Sequence, residues 1–144
     1  MKKIILFVSA IFCLFFVMNC SSLQRSKPHI QREWMLVSFD RFTKQQLIKS
    51  KAGINLTGEK EDGKIKGTSS MGCNRIFFTS EFKINGKMNI SGLGGTEMAC
   101  EDMDLENAFM EKFKNMKSYT IEGHYLILSD EKGNQMKFIA ADWD

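Results

Sequence analysis

The sequence is poor in histidine, with only His29 and His124, and this scarcity excludes several kinds of active site. No Gly-x-Ser-x-Gly motif is present, and two histidines so far apart in the chain provide no Ser-His-Asp set. Combined with Cys73 and Cys100, they fit no zinc-finger spacing. We therefore predict that the protein is not an enzyme and that it has no catalytic residues, no metal site and no cofactor.

An excess of charge of one sign is also lacking. The chain has 20 basic and 17 acidic residues, and two of the basic residues, Lys2 and Lys3, stand at its N-terminus. Lysines alternate with acidic residues along the rest of the chain, and no basic stripe is interleaved with aromatic residues. The sequence therefore predicts no nucleic-acid partner.

Long apolar runs are absent except for residues 4–18, which follow Lys2 and Lys3. This run is shorter than the roughly 20 residues that a membrane-spanning helix needs, and it has about the length of a signal-peptide core. A transmembrane anchor is the alternative, and the length argues against it. We predict a signal peptide at residues 1–19.

The end of this run resembles the lipobox of bacterial lipoproteins, with the sequence Val-Met-Asn-Cys at residues 17–20. The resemblance implies cleavage before Cys20 and lipidation of that cysteine with acyl chains such as palmitate. Two or three acyl chains are enough for stable membrane anchoring. Residues 20–32 are polar, contain Pro28 and form the predicted tether. Ser21 favours the outer membrane, so we predict a lipid-anchored protein of the cell envelope.

Two cysteines, Cys73 and Cys100, remain for the folded part of the chain. An even pair in an exported protein favours a disulfide, and two buried free thiols are the alternative. A thiol-redox site is a third possibility. It lacks a C-x-x-C spacing and a nearby histidine to lower a thiol pKa, so we favour a structural role.

Short strands with alternating apolar residues make up most of the remaining sequence. Trp34 and Leu36 open a first strand, and a polar connection at residues 40–51 follows it. Asp62-Gly63 and Asn85-Gly86 are hairpin turn signals, the second typical of a type I′ turn. Between these turns an alternating set predicts one core-facing strand, and it consists of Ile76, Phe78, Ser80, Phe82 and Ile84.

One helix is predicted between the fifth and sixth of about eight strands. Leu105, Phe109, Phe113 and Met116 recur at steps of three and four, which places them on one core-facing side. The acidic residues Glu101, Asp102, Asp104 and Glu106 cluster near its start. We interpret them as N-terminal carboxylates rather than a cation site. The order predicts an α+β fold with a curved antiparallel sheet and one helix packed on it.

Two short motifs resemble the META domain, the family that includes the heat-shock lipoprotein HslJ. The first motif is Gly72-Cys73-Asn74-Arg75, and the second, Thr96-Glu97-Met98-Ala99-Cys100, follows about 25 residues later. The resemblance covers residues 33–143, so we assign the META domain to residues 33–144. For Asn74 and Arg75 we favour structural roles over ligand contact, with Arg75 paired to an acid such as Glu97.

The resemblance implies a fold like a cracked barrel and a non-enzymatic function in stress response or drug tolerance. We expect the domain to bind a protein partner or an apolar ligand, in addition to the membrane that holds its lipid anchor. A thiol-redox or enzymatic protein that uses Cys73 and Cys100 is the alternative. The residues expected to line the core or a cleft are Phe77, Phe78, Phe82, Phe109 and Phe113.

Overall fold

The computed structural model describes residues 29–143. The predicted signal peptide, Cys20 and the tether as far as residue 28 lie outside the described residues. The last part of the predicted tether contacts the domain, because Ile30 packs against the core and Arg32 forms an ion pair with Asp142 at 3.4 Å. Within the described part of the chain, no helix is long and apolar enough to cross a membrane.

The fold is a single antiparallel sheet in the order β6-β5-β4-β2-β1-β9-β8-β7, with the two-residue strand β3 paired to β4. The strands are β1 (Glu33–Phe39), β2 (Gly53–Asn55), β3 (Lys60–Glu61), β4 (Lys64–Ser70), β5 (Arg75–Phe82), β6 (Met88–Gly95), β7 (Ser118–Glu122), β8 (Tyr125–Ser129) and β9 (Gln135–Ala140). Two helices accompany them, α1 (Lys44–Lys49) and α2 (Asp104–Phe113).

The sheet curls until its two edge strands, β6 and β7, meet at one end. The backbone N–H of Met88 donates to the carbonyl of Lys117 at 2.9 Å, and that of Tyr119 donates to Gly86 at 2.7 Å. No further ladder joins β6 to β7 in residues 29–143, so the barrel is only partly closed. The predicted α+β fold with a curved, cracked-barrel-like antiparallel sheet is confirmed.

Helix α2 fills the inside of the curled sheet with the predicted apolar residues. The ring of Phe113 lies 4.9 Å from that of Phe78 on β5, and the ring of Phe109 lies 6.4 Å from that of Phe39 on β1, both edge to face. Phe109 and Phe113 stack on each other at 4.6 Å. Aromatic pairs in these arrangements stabilise a core beyond their buried area. The predicted core-facing side of this helix is confirmed.

Helix α1 occupies part of the stretch that the sequence predicted as a plain polar connection, and that prediction is wrong. The helix begins with a capping box, in which Thr43 and Gln46 exchange side-chain-to-backbone hydrogen bonds. It ends in a Schellman motif, because the N–H of Lys51 donates to Ile48 and that of Ala52 donates to Leu47, both at 3.0 Å. The helix lies beside the part of β1 that follows Met35, because β2 begins at Gly53 and pairs with β1 only from Glu33 to Met35.

Three details around β5 also differ from the prediction. Strand β5 ends at Phe82, so Ile84 lies beyond it and is 97% exposed instead of buried. Phe77 points to the outer face of the sheet and is 47% exposed. Only Gly86 has a positive φ in the predicted Asn85-Gly86 type I′ turn, which needs a positive φ at both residues. The turn instead closes through the N–H of Lys83 and the carbonyl of Lys87.

Candidate functional site

The two motifs that carry the family resemblance meet in space. Residues 72–75 form the turn between β4 and the start of β5, and residues 96–100 follow directly after β6. A disulfide joins Cys73 to Cys100 with their Cα atoms 6.2 Å apart, a normal separation for this bond. At Gly72 the backbone has a φ of 110°, a conformation that residues other than glycine rarely adopt.

Asn74 is the centre of the hydrogen bonds that hold the motifs together, and it is only 3% exposed. Its Oδ1 accepts the hydroxyl proton of Thr96 and the backbone N–H of Met98, both at 2.8 Å. The Thr96 hydroxyl oxygen in turn accepts the backbone N–H of Arg75 at 3.1 Å. The side chains of Met98 and Ala99 are exposed and take no part in these bonds.

Glu106 completes this network, although the sequence placed it among the carboxylates at the start of α2. Its Oε2 accepts the backbone N–H of Asn74 at 2.7 Å, and its Oε1 accepts the Asn74 side-chain amide at 2.9 Å. Glu106 is 6% exposed and forms no ion pair with any residue in the described range. The expected pairing of Arg75 with Glu97 is wrong, because neither residue forms an ion pair within residues 29–143.

The motif network is therefore structural in its chemistry. The polar atoms of Asn74, Thr96 and Glu106 bind one another, and both cysteine sulfurs are engaged in the disulfide. Across residues 29–143, no group of three or more His, Cys, Asp or Glu side chains is arranged to hold a metal ion.

An apolar groove lies on the other side of the sheet, between α1 and the outer face of β1 and β9. Its volume is about 540 Å³, within the range of small-molecule sites. Met35 and Ile48 on its walls are 47% and 63% exposed. The residues that line the groove are Met35, Leu36, Val37, Lys44, Leu47, Ile48, Lys51, Ala52 and Ile139.

A smaller, more polar cavity of about 240 Å³ adjoins this groove. The two share Met35, Lys51 and Ala52, and the smaller one extends across β2 to Arg75 at the start of β5. Its wall includes the hydroxyl residues Thr68 and Ser70 on β4. Arg75 of the first motif therefore faces a cavity, whereas its neighbour Asn74 lies inside the fold.

The strand register places one row of residues on the outer face of the sheet, and this row runs through both cavities. Directly paired residues on neighbouring strands share one face of a sheet. The row crosses six strands and consists of Tyr125, Ile139, Met35, Gly53, Ser70 and Arg75. It changes along its length from apolar side chains to a glycine, a hydroxyl and finally a guanidinium group.

The phenylalanines that were expected to line the core or a cleft form a filled core, except for the exposed Phe77. Phe78, Phe109 and Phe113 are buried against one another, and Phe82 is partly buried against Tyr119 with ring centroids 5.0 Å apart. The groove instead depends on α1, which the sequence prediction missed. The Thr43 and Gln46 capping pair was the available signal for it.

One solved structure supports this fold. An NMR structure of a protein from Burkholderia xenovorans is similar, with a TM-score of 0.60 and 18% identity over 78% of this chain and 83% of that one. A crystal structure of a DUF4847 family protein from Bacteroides vulgatus matches with a TM-score of 0.49 and 17% identity, over 79% of this chain and 95% of that one. No curated protein matches the chain. The META domain family model matches residues 27–143, and the chain therefore belongs to the META domain family.

Proposed function

We propose that this protein is a lipid-anchored, non-enzymatic component of the bacterial cell envelope whose META domain binds an apolar ligand. The observation that carries the proposal is the apolar groove between α1 and strands β1 and β9. A role in stress response or drug tolerance is the physiological setting that the family resemblance implies.

The exposure of the groove supports a binding function. Met35 and Ile48 are exposed on one surface, and the half-buried Ile139 lies in the same lining. Contiguous apolar surface of this kind marks ligand or partner sites in soluble domains, whereas single exposed apolar residues do not. The core of the fold is complete without these side chains, so packing of the domain does not require them.

The non-enzymatic part of the proposal is supported by the chemistry around the motifs. An enzyme site needs a nucleophile or a general base with free polar atoms that face a substrate. Asn74 and Glu106 use their polar atoms on each other inside the fold, and Cys73 and Cys100 are bonded. The groove itself is lined by apolar residues and lysines.

The lipid anchor is tested by mass spectrometry of the protein purified from its native membrane. We expect acyl chains on Cys20 and a new N-terminus at that residue. A Cys20→Ser variant should lose both the acyl chains and the membrane association. An uncleaved chain, or an unmodified Cys20, would contradict the lipoprotein assignment and leave the groove proposal intact.

Ligand binding is tested with the neutral apolar fluorophore Nile red and the chain from residue 20 onward carrying Cys20→Ser, which keeps every described residue. We expect saturable binding that is lost in the double variant Met35→Glu, Ile48→Glu. Both positions are exposed, so these changes add charge to the groove without disturbing the core. Ile84→Glu is the matched control, because Ile84 is exposed outside the groove. Equal binding by all three proteins, or no binding by any, would refute the groove as the ligand site.

A further inference from the structure

The shape and charge of the two adjoining cavities allow the ligand class to be narrowed. We propose that the ligand is a single anionic amphiphile, whose apolar part lies in the groove and whose carboxylate or phosphate head lies between Lys51 and Arg75. This inference rests on the proposed function, because it names the chemistry of the ligand for the same site.

The cavities adjoin at Met35, Lys51 and Ala52, and their lining changes from apolar to polar in one direction. The larger one is lined by apolar side chains of α1, β1 and β9, and the smaller one extends across β2 and β4 to Arg75. With strands about 4.8 Å apart, the three steps from Met35 to Arg75 span about 14 Å. An elongated molecule with one polar end matches this gradient, whereas a wholly apolar molecule would leave the polar end unpaired.

Among the described residues, the polar end carries a net positive charge, because its lining holds two cations, Lys51 and Arg75, and one carboxylate. Lys51 and Arg75 form no ion pair within the part of the chain that the structure describes. Lys44 adds a third cation at the far wall of the groove. The one carboxylate in the lining is Glu33, and its Oε1 accepts the Asn55 side-chain amide at 2.7 Å. The site is therefore complementary to an anion.

The residue types at this end also suit an anionic head group. An arginine guanidinium binds a carboxylate or phosphate through two parallel hydrogen bonds. Thr68 and Ser70 add hydroxyl groups on the same wall, and Gly53, which lies between Met35 and Ser70 in the row, leaves the floor of the cavity without a side chain. A Cβ at Gly53 would lie only 2.6 Å from the carbonyl oxygen of Trp34, so a larger residue does not fit there.

The backbone of Lys51 provides a separate argument. Lys51 has a φ of 47°, in the left-handed region that usually holds glycine or asparagine after a helix. Asp40 and Asp62 also have positive φ, but aspartate adopts this region more readily than lysine. A lysine at a position that favours glycine supports a role of its ammonium group in binding the anionic head. Lys51 lines both cavities at the place where they adjoin.

The test compares amphiphiles that share one alkyl chain, each kept below its critical micelle concentration. Decanoate and decyl phosphate carry the anionic head, and decyltrimethylammonium carries a cationic one. We expect both anions to bind about tenfold more tightly than the cation, with amide shifts in the NMR spectrum confined to α1, β1, β2, β4, β9 and the start of β5. Equal affinity for the anions and the cation would overturn the proposal.

Charge-removal variants assign the preference to the named residues. The double variant Lys51→Gln, Arg75→Gln should bind decanoate and decyl phosphate no more tightly than decyltrimethylammonium. Lys64→Gln with Lys87→Gln is the control, since it removes the same charge from exposed lysines outside both cavities. A control that loses the preference equally would show a general charge effect and refute the site.

Two further outcomes separate this inference from the function on which it rests. If Nile red binds in the groove and the anions show no advantage, the ligand site stands and the anionic amphiphile is wrong. If no apolar probe binds, both fail together. Vesicles of phosphatidylglycerol distinguish a membrane surface from a free molecule. The proposal of a single-molecule ligand would be wrong under two conditions. The protein would have to sediment with the vesicles but not in the Lys51→Gln, Arg75→Gln variant, and it would have to show no binding of monomeric decanoate.

Discussion

The carboxylate of Glu106 accepts two hydrogen bonds from Asn74, one from the backbone N–H at 2.7 Å and one from the side-chain amide at 2.9 Å. These bonds connect the first turn of α2 to the turn before β5. Both residues are buried, and hydrogen bonds to a charged acceptor are stronger than those between neutral groups. The pair therefore fixes where the helix enters the curled sheet.

Glu106→Ala should lower the free energy of unfolding by about 2–3 kcal/mol, because it leaves two buried donors of Asn74 without an acceptor. Glu106→Gln should also destabilise the domain, since its amide group would bring a donor against the Asn74 amide. Urea unfolding followed by circular dichroism measures both changes.

The control for this prediction is Glu111→Ala on the exposed side of the same helix. Its free energy of unfolding should stay within about 0.5 kcal/mol of that of the unsubstituted protein. If Glu106→Ala were as mild as this control, the network around Asn74 would not be what positions α2.

The disulfide closes the same region covalently and joins cysteines whose sequence separation is 27. Replacing both Cys73 and Cys100 by alanine should lower the free energy of unfolding by about 3–4 kcal/mol on the chain-entropy account. Nile red binding should be unchanged, because neither cysteine lines the groove. An unchanged free energy of unfolding in the double variant would contradict the structural role of the disulfide and favour the thiol-redox alternative.

The sequence predicted α2 and β5 correctly, because the spacing of apolar residues within each element indicates its type and its buried face. Phe109 and Phe113 lie at helical spacing and are buried as expected. The alternation through Ile76 and Phe78 correctly assigned the core face of β5. At Ile84 the same alternation failed, because the hydrogen bond between Lys83 and Lys87 closes the hairpin before that residue. Periodicity alone does not show where a strand stops.

The candidate site was harder to predict because it depends on contacts between distant segments. Glu106 and Asn74 are 32 residues apart, and nothing near Glu106 in the sequence distinguishes it from neighbouring exposed acids. The six residues of α1 bury a single side chain, Leu47, which leaves no apolar period to detect. The groove exists because this helix takes the place of β2 beside β1, and that is a property of the assembled sheet.

A pH-dependent prediction comes from the turn between β8 and β9. The side-chain amide of Asn134, at 2.7 Å, holds the pKa of Asp130 below its ordinary value of 3.8, and the backbone N–H groups of Asn134 and Lys132 act in the same direction. Since the folded pKa is depressed, the stabilisation is present above about pH 3.8 and is lost as the pH falls through the folded pKa.

Asn134→Ala should therefore raise the pKa of Asp130 toward 3.8 in an NMR titration of its carboxyl carbon. Gln135→Ala is the control, because Gln135 is the exposed neighbour and its side chain makes no bond to Asp130. An identical Asp130 titration in both variants would show that the Asn134 amide is not the cause of the low pKa.

The left-handed conformation of Lys51 gives opposite predictions for two glycine substitutions only two residues apart. Lys51→Gly should raise the free energy of unfolding by about 0.5–1 kcal/mol, because glycine adopts a φ of 47° without the cost that a Cβ brings. Lys49→Gly, in the last turn of α1, should lower it by up to about 1 kcal/mol. Thermal and urea unfolding measure both.

The same pair of variants separates stability from binding. Lys51→Gly removes an ammonium group from the junction of the two cavities, so the more stable protein should bind decanoate more weakly than the unsubstituted one. Lys49→Gly removes an equal charge from outside both cavities and should keep the decanoate affinity despite its lower stability. If the affinity of both variants for decanoate changed in the same direction as their stability, Lys51 would have no role in binding beyond its place after α1. Opposite trends would mean that the chain holds an unfavourable lysine there for the sake of its charge.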